Sequence, residues 1–156
     1  LINKKIAVFK TRFYKYFIPA LLVVVLPFAG KTSFTGSKSA GHIVFIENSW
    51  DEAIKQAGQQ HKYIFVDAYT TWCGPCMMLK AQTFTNKKAA DFYNANFINL
   101  SLDLEKGAGP QFAVKWQIKS IPTLIIFDAK GKPILGAAGF ISADDLIRFG
   151  KHALGK

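Results

Sequence analysis

Two cysteines in 156 residues are too few for the multi-bridge framework of a small secreted scaffold, and too few for a four-thiolate zinc site. Whatever they do, they do as one pair. Acidic residues are missing altogether from Leu1 to Lys38, where Lys4, Lys5, Lys10, Arg12, Lys15, Lys31 and Lys38 supply seven of the ten net positive charges. The rest of the chain has 13 basic and 10 acidic residues and lacks a basic stripe interleaved with aromatics, which nucleic-acid binding would need. Apolar runs of spanning length are lacking too: residues 17–29 form a 13-residue stretch containing Pro19 and Pro27, against the roughly 20 residues of a membrane-crossing helix and the about 7–15 of a secretory h-region. Aromatics, by contrast, are plentiful, with 14 Phe, 5 Tyr and 3 Trp, and half of all residues are hydrophobic. That excludes a disordered chain, and the length allows one domain of ordinary size.

A basic flank before an apolar run is the pattern of an export signal. Small residues follow at Ala29, Gly30 and Ser33 without forming an A-x-A triplet, so residues 1–30 are expected to be a cleaved signal peptide or a retained membrane anchor. Residues 31–42, rich in Gly, Ser, Thr and Lys, read as a flexible linker. The folded domain is expected over 43–156.

Within it, residues 43–47 (IVFIE) read as a strand, and Ser49 with Glu52 has the capping-box spacing that starts a helix over 50–59. Residues 63–68 (YIFVDA) form a mostly apolar run suited to a central strand. Helices follow over 77–84 and over 87–94, the second behind Asn86 as N-cap. A strand over 97–102, a short helix over 110–116, a hairpin of strands 123–127 and 133–139, and a helix over 142–154 complete the order β α β α α β α β β α. Such alternation argues an α/β fold with an antiparallel edge.

Cys73-Gly74-Pro75-Cys76 places two thiols at i and i+3, on one side of a helix's first turn. At a helix start Cys73 meets unpaired backbone N–H groups, which favour thiolate and make it the nucleophile. Cys76, inside the helix, is placed to attack a mixed disulfide formed on Cys73. Pro75 suits an early helical position, where its missing N–H has no helical partner to lose. Zinc, haem and a purely structural disulfide are the competing uses. Zinc would require two further ligands, and His42, His61 and His152 lack a spacing that pairs with the cysteines. Haem attachment requires His where Met77 stands. A disulfide closing so short a loop removes little unfolded-state entropy. A C-x-x-C between strand and helix in an α/β pattern is the redox context.

Trp72-Cys73-Gly74-Pro75-Cys76 resembles the active-site motif of the thioredoxin superfamily, and Ser120-Ile121-Pro122-Thr123 before an apolar strand resembles its cis-proline loop. Asp67, six residues before Cys73, stands where thioredoxins have a buried carboxylate. Within the superfamily, residues 80–84, 96–100 and 139–140 are similar to the thioredoxin-like C-terminal domain of the membrane disulfide reductase DsbD. The resemblance implies a thioredoxin fold, a central mixed sheet flanked by helices. It also implies Cys73 as nucleophile, Cys76 as resolving thiol and Asp67 as its proton acceptor, with Trp72, Gly74, Pro75, Ile121 and Pro122 contacting substrate. No cofactor is expected beyond the Cys73/Cys76 disulfide itself. The implied activity is that of an exported thiol–disulfide oxidoreductase reducing protein disulfides in the bacterial periplasm or cell envelope, supplied with electrons by a membrane reductase. A non-catalytic binding or chaperone module, and an oxidase or isomerase of the same fold, are the alternatives. Asn99 occupies the position of a lysine that cytosolic thioredoxins couple to the buried aspartate, so Asp67 is expected to titrate without a cationic neighbour.

Overall fold

The structure is a computed structural model and describes residues 41–156; the expected signal or anchor segment and nearly all of the expected linker lie outside the described residues. Its elements are β1 (Ile46–Glu47), α1 (Trp50–Gln60), β2 (Tyr63–Tyr69), α2 (Gly74–Met78) running into a π-helical turn (Leu79–Thr83), α3 (Lys87–Asn96), β3 (Phe97–Asp103), α4 (Gly109–Lys115), β4 (Thr123–Phe127), β5 (Pro133–Ala138) and α5 (Ala143–Ala153). They form one five-stranded sheet in the order β1-β3-β2-β4-β5, with β1, β3 and β2 parallel and β4 and β5 antiparallel. This is the mixed sheet and closing hairpin that the sequence predicts.

The strand period of two sorts the sheet residues between two cores. Phe65, Phe97, Leu124 and Ile126 lie with Leu79, Tyr93 and Leu146, beneath the π-helical turn, α3 and α5. Ile64, Val66, Leu100, Leu102 and Phe127 lie with Ala53, Ala57 and Phe112, beneath α1 and α4. Because β2 and β3 carry helices on both faces, they tolerate near-continuous apolar runs, each fully buried large side chain contributing about 1.5–3 kcal/mol. Tyr93 centres the first core: its ring lies 4.6 Å from that of Phe65 and 4.9 Å from that of Phe97, and its hydroxyl donates to the Leu146 carbonyl at 2.8 Å.

The caps predicted at Ser49 and Asn86 form, and Ser142 caps α5. Ser49 accepts the Glu52 N–H, Asn86 those of Lys88 and Ala89, and Ser142 that of Asp145. Two elements differ. The first strand shrinks from the expected 43–47 to two residues, because side chains replace the ladder ahead of it. Asn94 Oδ1 accepts the Val44 N–H at 2.9 Å, Asn99 Nδ2 donates to the Val44 carbonyl at 3.3 Å, and Asn94 Nδ2 donates to the His42 carbonyl at 3.0 Å. The helix expected over 77–84 starts three residues earlier and widens after Met78, where the Phe84 N–H reaches back five residues to the Leu79 carbonyl at 2.9 Å.

Candidate active site

At the carboxyl end of β2 the chain leaves the sheet, the Cys73 N–H donates to the Thr70 carbonyl at 3.3 Å, and α2 begins. Cys73 is the N-cap of α2, its Sγ accepting the Cys76 N–H at 3.1 Å. The two sulfurs are bonded to each other at 2.04 Å. A helix start satisfies one of its spare N–H donors with this sulfur, and the same N–H would hydrogen-bond a Cys73 thiolate once the bond is reduced. Cys73 and Cys76 are themselves buried, but Trp72, Gly74, Pro75, Met77 and Met78 around them are exposed. The disulfide therefore lies in a low, partly apolar rim.

Trp72 is 67% exposed, and its indole N–H donates to Glu105 Oε1 at 3.0 Å. That acceptor had no signal in the sequence, since it lies 33 residues away across a turn. Ile121-Pro122 is the cis peptide expected from the resemblance. Pro122 immediately precedes β4, and its carbonyl accepts the Gly139 N–H at 2.8 Å. Gly139 has φ +89° with nothing near the space a side chain would take, so its role there is conformational freedom rather than close approach.

Asp67 lies on β2, in register with Ser101 of β3 and Leu124 of β4, and is fully buried. Among the described residues neither carboxylate oxygen has a hydrogen-bond partner, and the Ser101 hydroxyl is likewise unpartnered. Burial pushes the Asp67 carboxyl up to about 7, against an opposing pull from the Lys80 ammonium and with a smaller push from Glu47. The expectation that Asp67 lacks a cationic neighbour is thus corrected. Asn99 is buried but turned to the β1 segment, and the cation comes instead from the π-helical turn, where Lys80 lies over the Tyr69 ring at 3.2 Å from its centroid. The i,i+4 spacing of Cys76 and Lys80 was a usable sequence signal for it. Tyr69, Thr70, Thr71, Cys76, Met77 and Lys80 line a cleft of about 250 Å³. Among the described residues no group of His, Cys, Asp and Glu is arranged to hold a metal ion, and no helix is long and apolar enough to cross a membrane.

Residues 50–154 match a family described as the thioredoxin-like domain. The chain is 27% identical over 135 residues to the thiol:disulfide interchange protein DsbD of Pseudoalteromonas atlantica, covering 81% of this chain and 23% of that one. It is 38% identical over 81 residues to thioredoxin of Staphylococcus aureus, covering 52% of this chain and 72% of that one. Among solved structures, a candidate disulphide-isomerase from Bacteroides thetaiotaomicron is similar with a TM-score of 0.65 and 36% identity, covering 72% of this chain and 93% of that one. The chain spans about a fifth to a quarter of the length of the first curated relatives it matches.

Proposed function

The chain belongs to the thioredoxin-like domain family, and from that premise we propose that it is an exported thiol–disulfide oxidoreductase that works as a reductant of protein disulfides. The observation that carries this reading is the Cys73–Cys76 disulfide at the start of α2, just past the strand that carries the buried Asp67. In the reduced protein the Cys73 thiolate attacks a substrate disulfide, forming a mixed disulfide and expelling one substrate thiolate. Asp67 takes the Cys76 proton, and Cys76 sulfur attacks Cys73 Sγ. The second substrate thiolate leaves, the substrate has gained two electrons, and the chain is left as the Cys73–Cys76 disulfide. A dithiol reductase in the membrane returns the two electrons. Trp72, Gly74, Pro75, Ile121 and Pro122 are the residues proposed to contact the substrate segment. Residues 1–30, as signal or anchor, would place the domain of 43–156 in the periplasm or cell envelope.

The purified protein, kept reduced by a small dithiol, is expected to reduce a protein disulfide, and Cys73→Ser to abolish that activity. Undiminished activity in Cys73→Ser would overturn this reading, and a wild-type protein that reduces no disulfide would leave a non-catalytic binding module. Cys76→Ala should strand the mixed disulfide on Cys73, and mass spectrometry of the trapped proteins should return envelope proteins; a trap holding only cytosolic proteins would overturn the location. An isomerase is the second reading, favoured by the Bacteroides neighbour described as one. Isomerisation releases Cys73 by a thiol of the substrate itself. Cys76→Ala would then keep its activity on scrambled disulfides, which a reductant loses.

A further inference from the structure

We propose that Lys80 is a positioning residue for this reaction: parked on the Tyr69 ring, its ammonium supplies the positive charge that holds the Asp67 carboxylate ready to take the proton of Cys76. The inference rests on the thiol–disulfide reading above. Lys80 follows Cys76 by four residues, so both lie on the side of the helix that faces β2. Asp67 and Tyr69, two apart on β2, point to one face of the sheet, and that face carries the helix. The ammonium sits 3.2 Å from the Tyr69 ring centroid, a cation–π contact that fixes a long side chain which would otherwise extend into solvent. The same cleft is lined by Tyr69, Cys76 and Lys80 together. The buried carboxylate has no hydrogen bond among the described residues to stabilise its charge, so a nearby cation is what the site offers in place of a donor.

The charged groups around Asp67 divide simply. Lys80 favours its ionised form and Glu47, at the end of β1, opposes it. Asp103, at the end of β3, is held by the Lys106 ammonium at 3.0 Å. The register partners Ser101 and Leu124 bear no charge, and Cys76 is the group whose proton is transferred. Lys80 therefore approaches the carboxylate from the helix, while Asn99 on the neighbouring strand bears no charge.

Two measurements on the full chain test this. The first follows the Asp67 carboxyl carbon by NMR through a pH titration of the oxidised protein. The second follows release of the second substrate thiol, the one that Cys76 displaces, in a single turnover of the reduced protein across the same pH range. Lys80→Met keeps the stem on Tyr69 and removes the charge; it is expected to move both midpoints to higher pH by roughly half a unit or more, and to slow release about twofold at pH 7. Lys80→Arg should restore both, and Lys80→Gln is the second neutral variant should Met disturb folding. Coincident midpoints in the wild type and the neutral variants would overturn the proposal, as would a shifted titration with an unshifted release profile. A wild-type protein that releases no substrate thiol at any pH would instead overturn the reductase reading, and the carboxyl titration would still report the Lys80 contact.

Discussion

At Asp67 the cost of burial falls on the charged form. The carboxyl's ordinary value of 3.8 is raised to about 7 in the folded protein, so between those limits the fold holds a proton that the unfolded chain has released. The contribution of Asp67 to stability is accordingly greatest below about pH 4, declines as pH rises toward 7, and is level above it, a span on the order of 4 kcal/mol. Asp67→Asn is expected to flatten this slope and to make the oxidised protein more stable than wild type at pH 8. Denaturant unfolding at pH 4 to 8 checks it, and an unchanged slope would mean the carboxyl is not the titrating group. Most of the site residues could be read from the motif, because cysteine spacing and the Ile121-Pro122 pair are local facts. Lys80 had only its i,i+4 spacing from Cys76 as a signal, and Tyr69 and Glu105 had none, since a ring contact between a helix and a strand end, or a hydrogen bond over 33 residues, leaves no mark on periodicity.

The elements follow the same division. Helices with a capping residue and strands with apolar runs are legible because each depends on neighbours in the chain. At α5 the Ser142 hydroxyl donates to Asp145 Oδ2 at 2.6 Å and accepts the Asp145 N–H at 3.2 Å. Ser142→Ala is expected to lower stability by about 1 kcal/mol while leaving disulfide reduction unchanged, measured by thermal unfolding and by turnover. The first strand and the helix after the motif depart from their sequence patterns for a common reason. Asn94 and Asn99 take over the backbone groups of residues 42–44, and Thr83 ties the π-helical turn to the Ile141 carbonyl at 2.8 Å. Such side-chain and tertiary bonds end or widen an element without altering its pattern of apolar residues. The widened turn starts at Leu79, just before Lys80, so the element's irregularity and the ammonium's position share one stretch of chain.

For the whole molecule, the cores of the described residues bear on where the folded domain begins. Ile43, at 2% exposure, joins the first core, and its N–H donates to the Phe84 carbonyl at 2.8 Å. A chain starting at Gly41 keeps both of these contacts and the Asn94 hydrogen bonds. One starting at Ile46 loses Ile43 and the Asn94 contacts, and should be less stable by about 2 kcal/mol or more. Calorimetry of the two truncations decides it, and equal midpoints would mean the boundary lies further along the chain.

The clasp that Asn94 makes on residues 42–44 also has a practical side. Because β1, β3 and β2 run parallel, residues 42–44 lie at the sheet edge where those strands begin, whereas the disulfide lies where β2 ends. A bead, sensor surface or fusion partner attached directly ahead of Gly41 would thus hold the domain by the end of the sheet opposite the disulfide.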